Sequence, residues 1–247
     1  MIRQLFLDIE TSPNQAFTWG IWEQNIPIGQ IINSSSVLCY SAKWAGERKM
    51  HFASVQHSSR KKMLKGVHAL LEEADVVTTY NGRAFDLPVL NREFLVQRMP
   101  PPAPYKQVDL LLVARRRFRF VSNKMDYVAQ ALGEGKKVRH PGFQMWVDCM
   151  EGKPSAWRHM ERYNKEDVRI LERLYARMLP WVPNHPNVGA FDGRTACPSC
   201  GGEHLQRRGE QVTRDTKYFR YQCIDCGTWS RNKVATGKSK NTLQGVC

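Results

Sequence analysis

The sequence predicts an α/β fold with a mixed central sheet, followed by a small C-terminal module organised by cysteines. Three observations carry this expectation. Short apolar runs of strand length alternate with segments of helical period from Ile2 to Trp181. At 247 residues the chain is longer than the commonest single domain but too short for two large ones. Four of its seven cysteines fall into two pairs, Cys197/Cys200 and Cys223/Cys226, each with two residues between the partners.

The first element, Ile2 to Ile9, is an apolar run ended by Glu10-Thr11-Ser12-Pro13 and reads as a central strand. Two further strands, Val37 to Trp44 and Met50 to Val55, flank the turn Ala45-Gly46-Glu47-Arg48, which suggests an antiparallel addition to the sheet. Met63, Leu64, Val67, Leu70 and Leu71 recur at helical spacing, and the β-branched run Val76 to Tyr80 forms the next strand, ending at Asn81-Gly82. A second helix is expected from about Asp86-Leu87-Pro88, a short strand over Val108 to Leu112, and a long helix over Ser155 to Leu179. Prolines 180, 183 and 186 close that helix, because proline cannot continue one. The expected domains are therefore residues 1–181, a linker over 182–195, and a module over 196–247 with a basic C-terminal tail.

The formal charge of +14 and a pI near 9.7 favour polyanionic partners, since Lys and Arg that neutralise phosphates release condensed counterions. Basic residues are in excess on both sides of Trp181, with 10 Lys+Arg against 5 Asp+Glu after it. No apolar stretch is long enough for a membrane span, and Leu5-Phe6-Leu7 is too short for a signal-peptide core. The expectation is a soluble, cytoplasmic protein without a membrane partner. Cys39, Cys149 and Cys247 have no evident partner, as free thiols in a reducing compartment would not.

Within this basic chain a few acids stand in informative places. Asp8 and Glu10 are two residues apart on a strand, so their carboxylates project from one face, where a hard divalent cation can bind beside substrate phosphates. A solvated strand end would look the same. Asp86 sits between a strand and a helix, a common place for active-site residues, but it also suits the helix N-cap. Asp167 and Tyr163 fall within the apolar stripe of the long helix, with Trp157, Met160, Ile170, Leu171, Leu174 and Met178. A carboxylate there is costly unless it binds metal or pairs with a buried cation such as arginine.

Taken together, Leu7-Asp8-Ile9-Glu10-Thr11, then Asn81 with Phe85-Asp86, then Tyr163 with Asp167 resemble the three motifs of the DEDD (DnaQ-like) exonuclease family in its tyrosine form. The resemblance is closest to stand-alone relatives of family B polymerase proofreading domains. Arg162 stands where the histidine form of the family would need histidine, and His159 is not in register. The resemblance implies a ribonuclease H-like fold and release of nucleoside 5′-monophosphates from a 3′ end. It also implies two Mg²⁺ or Mn²⁺ ions, one held by Asp8, Glu10 and Asp167, the second bridged by Asp8 and supported by Asp86. Tyr163 would orient the attacking water. Single-stranded DNA is the expected substrate, with RNA open. The alternatives are a replication or repair accessory protein that uses the nuclease fold as a scaffold, and a structure-specific endonuclease.

Cys197-Pro198-Ser199-Cys200-Gly201 and Cys223-Ile224-Asp225-Cys226-Gly227 each present two thiolates on a turn relieved by glycine, a set that fits one structural, tetrahedral Zn²⁺. The module is thus expected to be a zinc ribbon, with His204 on its surface. Lys217 to Gln222 and Trp229-Ser230-Arg231 mix basic and aromatic residues, which can stack bases and follow phosphates or simply pack a tiny core. Replication or repair proteins are the other candidate partners of the ribbon. Candidate nucleic-acid contacts are Asn81, Phe85, Arg115, Arg116, Arg117, Arg119, Lys136, Lys137, Arg220 and Arg231. Charge runs such as 115–119 and 136–139 are equally compatible with a solvated face.

Overall fold

The structure is a computed structural model and describes residues 2–193 and 195–238. The chain divides into two compact units, Arg3–Ala176 and a C-terminal one that begins at Arg177. Cys247 and most of the expected basic tail lie outside the described residues.

The first unit is built on a five-stranded sheet. Its strands are β1 (Gln4–Thr11), β2 (Val37–Trp44), β3 (Met50–Ser54), β4 (Val76–Thr79) and β5 (Lys106–Asp109), ordered β3-β2-β1-β4-β5. The sheet is mixed, as the sequence led one to expect: β1 and β3 are antiparallel to β2, while β1, β4 and β5 run parallel. The helices are α1 (Arg60–Glu72), α2 (Asp86–Val96), α3 (Leu110–Arg117), α4 (Met125–Ala131), α5 (Gln144–Met150) and α6 (Pro154–Met178).

Period-two alternation in β1 assigns its two faces to different neighbours. Leu5, Leu7 and Ile9 join the core that contains Met63, Leu64 and Leu71 of α1 and Leu90 and Phe94 of α2. Phe6, Asp8 and Glu10 point to the opposite face, where Phe6 meets Tyr175 of α6 edge to face with ring centroids 5.4 Å apart. On the same side Lys43 of β2 pairs with Glu172 of α6. A smaller cluster, including Cys39, Met145, Trp157 and Met160, seats the first half of α6 and α5. The two acids of β1 are thereby aimed at the long helix.

One expectation fails locally. Residues Leu110 to Leu112 are helical, and the strand is Lys106–Asp109. The Asp109 carboxylate accepts from Leu111 N at 3.0 Å and caps α3, so the apolar run that follows turns into a helix. α4 and α5 were not anticipated. The segment 182–195, expected as a linker, carries a short helix at Gly189–Asp192, and Val188 N donates to Pro198 O at 2.8 Å, which ties it to the first cysteine turn.

In the second unit, β6 (Leu205–Thr213), β7 (Thr216–Cys223), β8 (Trp229–Arg231) and β9 (Gly237–Lys238) make an antiparallel sheet centred on β7. The cysteine turns sit at one end of it. Among the described residues, no helix is long and apolar enough to cross a membrane.

Candidate metal centre and nucleic-acid cleft

Pairing of β1 with β4 stops at Phe6, so the end of β1 that carries Asp8 and Glu10 runs free of β4. The backbone N–H of Ile9 is met instead by Asp86 Oδ1 at 3.0 Å. Asp86 is therefore not a side-chain N-cap; Phe85 holds the N-cap position of α2 with no side-chain bond. The loop before it is tightly specified. Asn81 has a left-handed φ of 73°, and a Cβ on Gly82 would lie 2.4 Å from Thr79. Asp109 pins this loop, accepting from Asn81 N at 2.9 Å and Arg83 N at 3.1 Å.

From the other side α6 presents Tyr163, Asn164 and Asp167 on one helical face. Carboxylate oxygens of Asp8, Glu10 and Asp167 all lie within 4.8 Å of one another, and Asp86 is not part of that cluster. Asn164, wholly buried, donates from Nδ2 to Asp8 Oδ2 at 2.6 Å. Its Oδ1 faces the Cys39 thiol at 3.9 Å, which fixes the direction of the amide. Trp146 Nε1 donates to Glu10 Oε2 at 3.1 Å. Lys137 reaches in from the loop after α4, its ammonium 2.5 Å from Asp167 Oδ2 and 3.0 Å from the Tyr163 hydroxyl.

Burial and mutual repulsion set the electrostatics. Burial first, then Asp167, Asp86 and Glu10, hold the Asp8 carboxyl well above the usual carboxylate range. Glu10 is pushed up to about 8 by burial and Asp167, against the pull of Lys137 and Trp146. Asp86 is pushed up to about 7 by burial, opposed by its bond from Ile9 N–H. Asp167 is raised by burial despite Lys137. Burial works against the Lys137 ammonium, but Asp167, Tyr163 and Asp8 outweigh it and keep the group charged.

The residues fit a hard divalent ion. Three buried or half-buried carboxylates converge, each penalised for carrying its charge without a cation, and Asp167 Oδ1 is buried with no hydrogen-bond partner among the described residues. Of the two roles open to a carboxylate in the α6 stripe, the ion pair is made with Lys137 rather than an arginine, and it occupies only one oxygen.

Beside the cluster lies an open cleft of about 700 Å³ lined by Asp8, Tyr80, Asn81, Arg115, Lys137, His140 and Tyr163 together with residues 122–126. Phe85 is 40% exposed at the start of α2. Of the basic runs, Arg115 and Lys137 reach the cleft; Lys136 and Arg139 line a second depression with His159 and Arg162; Arg116, Arg117 and Arg119 are exposed elsewhere. Lys137, Asn164, Trp146 and Asp109 act at the centre in ways the sequence reading missed. Asn164 left a trace there, as a further polar residue beside Tyr163 and one turn before Asp167 and Val168 on the stripe.

In the second unit the sulfurs of Cys197 and Cys226, and of Cys200 and Cys223, are each 3.6 Å apart, and all four lie within 4.8 Å. A tetrahedral site with Zn–S bonds of about 2.3 Å has edges of about 3.8 Å, so the four thiols fit one zinc ion. His204 is no ligand: its side chain is 80% exposed and its Nδ1 lies 2.8 Å from Asp225.

A mixed sheet in the order β3-β2-β1-β4-β5, with acids gathered at the end of its central strand, defines an α/β class with a ribonuclease H-like domain. Residues 5–179 match RNase_H_2 of the RNase_H superfamily, and the chain belongs to that superfamily. By structure it is similar to the family B DNA polymerase from the hyperthermophilic archaeon Pyrobaculum calidifontis, with a TM-score of 0.55 and 20% identity. That likeness covers 73% of this chain but 25% of the polymerase, so the chain spans about a quarter of that relative's length. No curated protein matches the sequence.

Proposed function

We propose that the chain is a metal-dependent 3′-to-5′ exonuclease that shortens nucleic acid, single-stranded DNA first, and releases nucleoside 5′-monophosphates. The observation that carries this reading is the convergence of Asp8, Glu10 and Asp167 beside an open cleft, with the buried Asp167 Oδ1 meeting no hydrogen-bond partner among the described residues. In this reading Asp8, Glu10 and Asp167 hold one Mg²⁺ or Mn²⁺, and Asp8 with Asp86 supports a second. A metal held by these carboxylates would supply an activated water and offset charge at phosphorus and the leaving oxygen. Tyr163 directs the attacking water with its hydroxyl, and burial keeps that phenol protonated as a donor. Lys137 holds the hydroxyl and Asp167 in place, while Asn164 and Trp146 orient Asp8 and Glu10. Arg115 meets phosphate in the cleft, and Phe85 offers a ring to a terminal base. The chemistry is confined to residues 1–181, joined through 182–195 to a zinc ribbon over 196–247.

End-labelled DNA and RNA, linear and circular, incubated with Mg²⁺ or Mn²⁺ test the reading. Linear single strands should shorten stepwise from the 3′ end and circles should survive. Rapid loss of circles would instead assign an endonuclease, and no cleavage with either ion would favour a scaffold whose acids serve binding alone.

A further inference from the structure

The ribbon sheet has two unlike faces. Residues directly opposite in antiparallel strands share a face, so the register of β7 sorts its neighbours. Tyr218, Arg220 and Gln222 of β7 lie opposite Gln211, Arg231 and Trp229 respectively. This face carries no acidic residue among those six. The reverse face places Arg207 opposite Tyr221 and Glu210 opposite Phe219; there Arg207 stacks on Phe219 at 3.4 Å and Glu210 lies 3.8 Å from Lys217, so the faces differ by this acid and not by stacking as such.

On the acid-free face the arginines and aromatics form a ladder across the strands. The Arg231 guanidinium lies 4.0 Å from the Tyr218 ring centroid, and that of Arg220 lies 4.9 Å from the Trp229 ring. Arg220 Nε is further fixed by donating to Arg208 O at 3.0 Å. Neither guanidinium meets a carboxylate among the described residues, both are exposed, and Trp229 is 50% exposed. A guanidinium stacked on a ring keeps its full charge and is held flat, with N–H edges free for phosphate oxygens. Stacking also removes rotamer freedom before any ligand arrives, which lowers the entropic cost of binding. The neighbouring glutamines offer neutral donors and acceptors, so the surface suits a polyanion with planar groups better than an acidic protein patch.

We propose that this face of the ribbon, built on Tyr218, Arg220, Trp229 and Arg231, is a second nucleic-acid site that takes single strands without sequence preference, phosphates on the guanidiniums and bases on the exposed ring of Trp229. The inference rests on nucleic acid being the substrate class of the first unit and adds a contact outside its cleft. In β7 only Cys223 is buried; Tyr218, Phe219 and Tyr221 are half-buried and Arg220 is exposed, so the aromatics keep part of their surface open.

The test uses the full zinc-loaded chain carrying Asp8→Asn, so that bound strands persist, and reads fluorescence anisotropy of labelled 30-nucleotide and 6-nucleotide oligothymidylates over a range of salt. Arg220→Gln with Arg231→Gln should weaken binding of the long strand at least about tenfold and lower the salt slope by about 1.4, two contacts at about 0.7 each on a single strand. Trp229→Ala should cost about fivefold or more, as loss of a stacking platform does. Arg207→Gln removes the same kind of charge from the opposite face and should change affinity less than twofold. The short strand, which the cleft alone can hold, should respond less than the long one. Unchanged affinity in the double variant overturns the proposal and leaves the ribbon to a protein partner. Equal loss from Arg207→Gln overturns it too, because net charge rather than this face would then govern binding. Zinc content and circular dichroism confirm that each variant retains the ribbon. The readout needs no cleavage: a ladder that binds in a chain that never cuts would sink the exonuclease reading and leave this one standing.

Discussion

In the α/β unit the acidic cluster hangs from a large apolar core; Leu7 and Ile9, which alternate with Asp8 and Glu10 along the strand, are almost wholly buried. In the C-terminal unit, within the described residues from 195 onward, only Cys197, Ser199, Cys223 and Thr228 are buried. The first unit folds on hydrophobic burial and tolerates an acidic cluster that costs stability. The second buries little, so an ion held by its four clustered sulfurs would supply much of its folding energy. A metal bound at each site would therefore relieve repulsion in one unit and create order in the other.

The largest effect expected from that contrast is on the ribbon. Cys226→Ser should strip the zinc and melt β6 to β9, since structural zinc contributes about 10–16 kcal/mol in small zinc modules. Hydrogen exchange should show fast amides over 205–231 and unchanged protection in β1, β2 and α6. Protection that survives in the ribbon would mean that its sheet is held by something other than the metal.

Next comes the acidic cluster of Asp8, Glu10 and Asp167, where loss of function and loss of stability should part company. Asp8→Asn is expected to lower turnover by about 10³ or more, because a metal ligand is lost. Thermal melting without Mg²⁺ should nonetheless stay level or rise, since a desolvated charge repelled by Asp167, Asp86 and Glu10 is gone. A lower melting temperature would show that the Asn164 bond to Asp8 outweighs the repulsion. Tyr163→Phe keeps the ring contacts with His140 and Trp146, at centroid distances of 5.1 and 6.1 Å, and removes only the hydroxyl. Its turnover should fall by about 10², comparable with removal of one positioned polar group. A wild-type rate would assign the water to another residue.

The smallest effect is on stability against pH. Glu10 and Asp86 have folded-state values of about 8 and about 7, above their ordinary values of 4.5 and 3.8. The folded state thus holds protons that the unfolded chain releases, so this contribution is complete below about pH 4 and is lost as pH rises through 7 and 8. Zinc-loaded protein without Mg²⁺ should lose several degrees of melting temperature between pH 5 and 9. Mg²⁺ should reverse the trend at the alkaline end, where the carboxylates are free to bind it. A profile that is flat in both conditions would contradict the buried, repelling character of the cluster.

Most of the β1 and α6 contribution was legible in the sequence, because strand and helix periods are local: Asp8 and Glu10 two apart, Tyr163 and Asp167 four apart on an apolar stripe. The paired cysteines were legible for the same reason, since each turn brings its own two sulfurs together. The failure at Leu110 to Leu112 has the complementary cause: an apolar run of that length suits a strand or a helix, and the choice fell to Asp109, which caps α3 and pins the loop at Asn81 at the same time. Lys137 lies in a run of basic residues that sequence alone assigns to solvent or to a strand of nucleic acid. Only the packing of the loop after α4 against α6 carries its ammonium to Asp167 and Tyr163. What the sequence determined by itself is therefore the set of acids, the sulfurs and the alternating elements that carry them, all fixed by short-range spacing. The tertiary structure decided which polar groups hold those acids, Asn164 on Asp8, Trp146 on Glu10 and Ile9 N–H on Asp86, because each of these bonds joins residues between 77 and 156 positions apart, and no local period records such a distance.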